Sequence, residues 1–93
     1  MVKHIVLYTL VDGVDKEASV KFIASTLEPL VGKIPGLKHL EVRQAFAGMD
    51  YALYSEFESR EALSDYAVHP LHLAAMEQFR HLLASRVCAD YEC

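Results

Sequence analysis

The chain opens with an almost continuous apolar run from Val2 to Val11, broken only by Lys3, His4 and Thr9. β-branched and aromatic residues dominate this run, which is typical of a strand that is covered on both faces. The pattern therefore predicts a first strand over Val2–Val11, and it requires an apolar layer on either side of that strand.

Helical spacing follows after a turn at Asp12-Gly13. The apolar residues that recur every three or four positions are Val20, Ile23, Leu27, Leu30 and Val31. They predict an amphipathic helix over Asp15–Val31, with Asp15 as its N-cap. Pro29 lies near the end of this helix and predicts a kink or a tightened last turn, because proline lacks the backbone donor that a helix needs.

Two strands are predicted in the middle of the chain. Apolar and polar residues alternate over Leu37–Phe46, which indicates a strand with two unlike faces. A hairpin connection at residues 47–50 then leads to a third strand over Tyr51–Phe57.

The last third of the chain predicts two short helices and a final strand. Ser59 caps a helix that runs to Val68, and Pro70 suits the first position of a new helix, where its missing donor costs nothing. This second helix is predicted to end at about Ser85, and a fourth strand follows over Arg86–Tyr91. The residues that these helices are predicted to bury are Leu63, Tyr66, Leu73, Met76, Phe79 and Leu83.

The order of elements is β-α-β-β-α-β, with the second helical segment split in two. Right-handed crossovers place the four strands in one antiparallel sheet with the helices on one face. The predicted fold class is therefore α+β, a ferredoxin-like sandwich, and the 93 residues form a single domain over 1–93.

The other side of this sheet is predicted to carry an apolar surface. If Val6 and Tyr8 face the helices, their neighbours project to the opposite side, because side chains alternate along a strand. The residues expected on that side are Ile5, Leu7, Thr9, Ala52, Tyr54, Val87, Ala89 and Tyr91. Such a surface exceeds what soluble monomers leave exposed, and a second copy related by a two-fold axis covers it most simply. The sequence therefore predicts a homodimer.

Composition and charge limit the other classes of partner that the chain is expected to bind. The formal net charge of −4 disfavours nucleic acid, and no apolar run approaches the roughly 18 residues of a membrane span. The apolar start lacks the features of a signal peptide, so we expect a cytoplasmic protein. Two cysteines cannot frame a disulfide scaffold, and Cys88 is predicted to be a small core side chain.

The segment Tyr66–His72 carries the strongest candidate chemistry. Pro70 marks a helix start directly after His69 and places His72 in the first turn, where the helix dipole disfavours an imidazolium ion. His72 is then neutral at pH 7 and able to accept a proton, with Tyr66 as a nearby donor. By residue type alone, a structural role is more frequent for such a pair. The histidine then caps backbone donors of the helix, and the tyrosine forms a hydrogen bond with the histidine.

Five histidines also raise the question of a metal site. Zinc needs three or four converging ligands, and the chain has neither a Cys-x-x-Cys nor a His-Glu-x-x-His spacing. No metal and no cofactor are predicted.

Several segments together show a family resemblance. They are Val2–Val6, Ile34–Leu37, Phe57–Ser59, Tyr66–His72 and Asp90-Tyr91. In their order and spacing the sequence resembles the stress-responsive A/B-barrel (dimeric α/β-barrel) domain family over nearly its whole length. The resemblance implies ferredoxin-like protomers that pair through their sheets into a barrel-like homodimer.

The resemblance also implies a ligand site. A plant polyketide cyclase of this family closes a linear thioester without a cofactor, and its catalytic tyrosine and histidine match Tyr66 and His72. The match implies that both line a cavity between helices and sheet. The further residues expected at this ligand site are His4, Val6, Tyr8, Ile23, Leu27, Leu53, His69, Met76 and Leu83. Tyr8 stands where the cyclase has an aliphatic residue, and it is expected to fill part of the cavity.

Three functions remain open at this point. The chain is predicted to bind a small hydrophobic or carbonyl compound, with no assigned activity. The alternative is a cofactor-free cyclase-like or isomerase-like enzyme in which His72 takes a proton and Tyr66 stabilises an oxyanion. The third is a purely structural assembly module associated with stress, in which the dimer itself is the product.

Overall fold

A four-stranded antiparallel sheet forms the centre of the computed structural model, which describes residues 1–93. The elements are β1 (Val2–Leu10), α1 (Lys16–Leu27), β2 (Leu37–Gln44), β3 (Tyr51–Phe57), α2 (Arg60–Val68), α3 (Pro70–Phe79) and β4 (Leu83–Glu92). The strands lie in the order β2-β3-β1-β4, so that the two ends of the chain meet in neighbouring strands. The predicted ferredoxin-like α+β fold is confirmed.

Each helix begins at a residue that satisfies its free backbone donors. The side chain of Asp15 accepts a hydrogen bond from the backbone of α1, and Ser59 does the same for α2. At α3 the cap is His69, whose Nδ1 accepts from the backbone N–H of Leu71 at 3.1 Å. The capping role that is common for a histidine near a helix start is therefore filled by His69.

The first helix and the second strand end earlier than predicted. Helix α1 ends at Leu27, and the three residues Glu28–Leu30 form a 3₁₀ turn around Pro29, which confirms the tightened last turn. Strand β2 ends at Gln44, since the chain turns there into the loop that leads to β3. The prediction of Phe46 as a strand residue is therefore wrong, and its side chain is fully exposed in that loop at 104%.

The boundary between the last helix and the last strand is also shifted. The predicted helix end at Ser85 is wrong, because α3 ends at Phe79 and a 3₁₀ turn over Arg80–Leu82 follows. Leu83 pairs with Leu10 in the β1–β4 ladder, so the sheet takes up residues that helical spacing alone assigns to the helix.

The core lies between the helices and one side of the sheet. The buried residues of β1 and β3 alternate along each strand, and α1 contributes Val20, Ile23 and Leu27. Helix α3 buries Ala75 and Phe79, four residues apart, which leaves Leu73 on the outer side at 46% exposure. The predicted burial of Leu73 is therefore wrong.

Strand β4 lies at the edge of the sheet and is not covered by the helices. Every residue of β4 except Leu83 is exposed. By register with β1, the residues on its helix-facing side are Arg86, Cys88, Asp90 and Glu92. Cys88 is consequently exposed, and its prediction as a core side chain is wrong.

The side of the sheet away from the helices, here called the far side, has two unlike halves. Its apolar half lies on β1 and β4 and includes a shallow cavity of about 140 Å³, and its residues are Ile5, Leu7, Val87 and Ala89. Its polar half lies towards β3, where Glu56 accepts a hydrogen bond from Tyr54 at 2.6 Å and pairs with Lys3. Leu7, Val87 and Tyr91 are exposed in the single chain.

None of the helices has both the length and the hydrophobicity that a membrane-spanning helix needs.

Candidate functional site

Tyr66 and His72 lie against each other where α2 gives way to α3. Their ring centroids are 4.2 Å apart and their planes are inclined by 36°. The contact arises because His69 takes an extended backbone, as a residue before proline prefers, and thereby turns α3 away from α2. The local sequence around Pro70 thus places the first turn of α3 beside the last turns of α2.

The imidazole of His72 is held in a single orientation. Its Nδ1 donates a hydrogen bond to the carbonyl oxygen of Ala67 at 3.3 Å. Because a carbonyl can only accept, the proton lies on Nδ1 and the lone pair of the neutral ring lies on Nε2. Burial lowers the pKa of His72 below its ordinary value, the bond to Ala67 opposes this, and the charges of His4 and Arg86 lower the pKa further. His72 is therefore a neutral base at pH 7.

Tyr66 supplies a hydroxyl group that has no partner in the chain. Its ring packs on Phe57 with centroids 5.0 Å apart, and only 3% of the residue is exposed. Burial raises the pKa of Tyr66, so the phenol stays protonated. The hydroxyl forms no hydrogen bond within the protein, yet it is not among the fully enclosed groups. It is a free donor next to the free acceptor of His72.

Two further aromatic contacts involve residues of the sheet. The ring of His4 packs edge-on against Phe57 with centroids 6.2 Å apart, and its Nδ1 is hydrogen-bonded to Asp90 on the helix-facing side of β4. Tyr8 and Tyr51 stack nearly parallel, with ring centroids 4.7 Å apart. The hydroxyl of Tyr51 is completely buried and has no hydrogen-bond partner.

The predicted cavity between helices and sheet is occupied by side chains. Tyr8, Tyr51 and Tyr66 are all buried there, and none of the five main cavities is lined by Tyr66 or His72. One of these cavities, of about 320 Å³, lies near the site, between α2 and the end of β4. Its lining residues are Val2, Arg60, Leu63, Ser64, Asp90, Tyr91 and Glu92.

The remaining residues predicted for the ligand site are distributed more widely. Four of them belong to the hydrophobic core and border none of the main cavities, namely Val6, Ile23, Leu27 and Leu53. Met76 and Leu83 are partly buried against that core, and His69 caps α3. Ring contacts join four residues into one aromatic cluster, namely His4, Phe57, Tyr66 and His72. Tyr8 stacks on Tyr51 and lies near this cluster, since after burial it is the second cause that raises the pKa of Tyr66.

Sequence reasoning misses Tyr51 and Arg86. Tyr51 is predicted to lie on a strand but receives no role, although an aromatic residue opposite Tyr8 is a typical cross-strand pair. Arg86 alternates with Val87 and Ala89 along β4, and this alternation is the signal that places it on the helix-facing side. No group of three or more His, Cys, Asp or Glu side chains lies close enough together to hold a metal ion.

The comparison with known proteins decides the family. A family model described as Stress responsive A/B Barrel Domain matches residues 2–93. The chain belongs to this family. It is 33% identical over 97 residues to protein SCO4036 of Streptomyces coelicolor, with 99% of each chain covered. It is 29% identical over 97 residues to the stress-response A/B barrel domain-containing protein HS1 of Arabidopsis thaliana, covering 98% of this chain and 88% of HS1.

A solved structure of a similar protein shows the same architecture. The crystal structure of a protein from Bacteroides fragilis superposes with a TM-score of 0.88 at 36% identity, covering 99% of this chain and 95% of that chain. That protein is described as dimeric, with a ferredoxin-like fold and an unknown function. The A/B barrel family thus accounts for the fold, and at least one protein of similar structure is dimeric.

Proposed function

We propose that this A/B barrel domain forms a homodimer through the far side of its sheet and binds a small carbonyl compound at Tyr66 and His72. The observation that carries the ligand site is the pairing of a free hydroxyl donor with a free imidazole acceptor, in ring contact at 4.2 Å. A carbonyl oxygen accepts from Tyr66, while an acidic C–H or O–H group beside that carbonyl faces Nε2 of His72. Sites that bind small molecules typically have an apolar lining with a small number of polar groups that converge on the ligand.

The open side of β4 supports access to this pair. His72 is half-buried, whereas Arg86, which acts on its pKa, lies on the exposed helix-facing side of β4. A ligand therefore approaches over β4 rather than through the packed core. Because the tyrosine rings fill the interior, binding requires one of these side chains to change its rotamer, and a half-open edge allows this at low cost.

The uncovered strand supports the dimer. The exposed apolar residues on the far side, Leu7, Val87 and Tyr91, lie on two adjacent strands. Leu7 and Val87 also border a shallow apolar cavity. A second copy packed sheet against sheet removes this surface from water, and roughly 800 Å² per partner suffices for a stable interface. The dimeric relative has the same fold.

The Val87→Glu variant is expected to be monomeric at micromolar concentration, where the parent chain sediments as a dimer. A carboxylate at this position would be buried against the partner copy without a counter-charge, so we expect dimerisation to weaken by at least about a hundredfold. Val31→Glu is the matched control, since Val31 is also an exposed valine but lies outside the sheet. A parent chain that sediments as a monomer would contradict the dimer, as would a Val87→Glu variant that remains dimeric.

Tyr66→Phe is expected to bind acetophenone about fivefold more weakly than the parent chain, in a titration followed by NMR. The change removes one hydrogen bond to the carbonyl, worth about 1 kcal/mol, and keeps the ring that packs on Phe57. Tyr91→Phe, on the far side of the sheet, is the control and should leave the affinity unchanged. If the parent dimer binds no ketone at millimolar concentration, the purely structural role in assembly is favoured instead.

A second function is favoured by the state of His72. A neutral imidazole with a fixed tautomer and an open Nε2 is a general base, and a protonated phenol beside it stabilises the oxyanion that forms when a ketone loses an α-proton. The chain would then act as a cofactor-free enzyme of the cyclase or isomerase type. This activity is tested by the exchange of those α-protons with deuterium.

A further inference from the structure

Arg86 is a cationic group without an acidic partner. The chain has nine lysines and arginines, and the ten ion pairs involve all of them except Lys33 and Arg86. Arg86 therefore carries a positive charge that no acidic side chain of the chain neutralises. Its position in the sheet distinguishes it from Lys33, which lies outside the strands.

The register of the sheet places Arg86 beside the tyrosines of the candidate site. Arg86 pairs directly with Tyr8 across the β1–β4 ladder, so both side chains project to the helix-facing side. Tyr8 in turn stacks on Tyr51, whose hydroxyl is fully buried and has no hydrogen-bond partner. Burial raises the pKa of Tyr51 and of Tyr8, and the charge of Arg86 opposes the increase in both. The guanidinium group is thus within electrostatic reach of both phenols.

The acidic residues on the same side of β4 do not neutralise Arg86. Asp90 is bound by His4, and Glu92 is paired with Arg60 at 2.6 Å. His72 adds no negative charge, because it is neutral or cationic. The helix-facing side of β4 therefore presents one free positive charge, directly next to the aromatic cluster.

We infer that Arg86 and Tyr8 form an anion subsite beside Tyr66 and His72, and that the ligand is a small carbonyl compound that carries a carboxylate. This inference rests on the proposed carbonyl site and names the class of its ligand. The planar guanidinium group binds a carboxylate through two parallel hydrogen bonds, and the Tyr8 hydroxyl donates to the same group. The ketone end of the ligand then reaches the donor of Tyr66 and the acceptor of His72.

Two ligands that differ only in the anionic arm test the subsite. 3-Benzoylpropanoate carries the aromatic ketone of acetophenone together with a carboxylate. At low ionic strength the parent dimer is expected to bind the keto acid at least tenfold more tightly than acetophenone. Arg86→Gln should abolish this preference and leave the affinity for acetophenone within twofold, whereas Lys33→Gln should change neither. Arg86 is exposed, so Arg86→Gln is expected to keep the thermal midpoint of the parent chain.

The outcomes separate the two proposals. Equal affinity of the parent dimer for both ligands overturns the anion subsite, while the carbonyl site stands if Tyr66→Phe weakens both. A preference for the keto acid that survives Arg86→Gln also overturns the subsite. Binding of the keto acid that depends on Arg86 but not on Tyr66 supports the subsite and contradicts the carbonyl site. If neither ligand binds, both proposals fail.

Discussion

The α-protons of acetophenone are expected to exchange with deuterium about a hundredfold more slowly in the presence of the His72→Gln variant than in the presence of the parent dimer. In the exchange step the C–H bond breaks and the proton moves to Nε2 of His72. The electron pair moves to the carbonyl oxygen, which is hydrogen-bonded by Tyr66. Positioned general bases contribute about 10²- to 10⁴-fold, and glutamine cannot replace imidazole as a base. Proton NMR in D₂O follows the loss of the α-proton signal directly.

The pH dependence of this exchange distinguishes His72 from an ordinary histidine. Burial lowers the pKa of His72, so the neutral base persists to a lower pH than for a free imidazole of pKa about 6.5. At pH 6.5 the rate should therefore still exceed half of its value at pH 8, and the half-maximal rate should lie at a lower pH. A rate that already halves at pH 6.5 would indicate an unperturbed, solvent-exposed base.

A matched variant controls for the number of histidines. His81 is exposed in the 3₁₀ turn after α3, away from the break between α2 and α3, and His81→Gln should exchange protons at the parent rate. Glutamine at position 72 can still donate to the carbonyl of Ala67, so the fold should be retained. If the parent dimer exchanges protons no faster than the same concentration of imidazole, the enzyme function is excluded and binding alone remains.

The fold is predictable from the sequence because its elements have clear hydrophobic periods. Alternation in β2 and the spacing of Val20, Ile23 and Leu27 in α1 follow from local geometry, and both agree with the structure. The spacing of Leu83 also fits a helix, and only pairing with Leu10 in a distant strand moves it into β4. Boundaries that depend on tertiary pairing are not contained in a local pattern.

The candidate site shows the same division between local and distant information. Tyr66 and His72 are close in the chain, and the proline between them makes their contact predictable. The stacking of Tyr8 on Tyr51 depends on the register between β1 and β3, and the position of Arg86 depends on the register between β1 and β4. The family resemblance implies a cavity here, whereas the structure fills that space with tyrosine rings and adds a cation at its edge.

Side chains of β4 alternate between the two sides of the sheet, and each side takes part in one of the two proposed interactions. Its odd-numbered residues, such as Val87 and Ala89, face the far side and extend the apolar surface that the second copy is proposed to cover. Its even-numbered residues, such as Arg86 and Asp90, face the helix side and border the aromatic cluster. Because the two sets point in opposite directions, the proposed dimer would leave the helix-facing side open, so the proposed assembly and ligand binding would not compete for the same surface.

Gly36→Ala is expected to lower the free energy of unfolding by about 3 kcal/mol, measured by urea denaturation. Gly36 has a φ of +85°, a conformation that costs an L-residue roughly 1–2 kcal/mol. In addition, a Cβ at this position would lie 2.5 Å from the Cβ of Ala62 in α2, well inside van der Waals contact. The turn before β2 and the helix α2 must then separate, although Glu58 donates its backbone N–H to the Gly36 carbonyl at 2.9 Å.

Two variants separate the backbone strain from the steric clash. Gly32 has nearly the same φ of +88°, but a methyl group added there would have no atom within 4 Å, so Gly32→Ala should cost only the strain, about 1 kcal/mol. Ala62→Gly removes the methyl group that clashes. In the double variant it should restore much of the stability that Gly36→Ala loses, after the roughly 1 kcal/mol that glycine itself costs in a helix is taken into account. Equal losses for Gly36→Ala and Gly32→Ala would show that the turn and α2 are not in close contact. Tyr66 lies one turn further along α2, so a displaced helix would also separate it from His72, and the ketone affinity of Gly36→Ala should fall together with its stability.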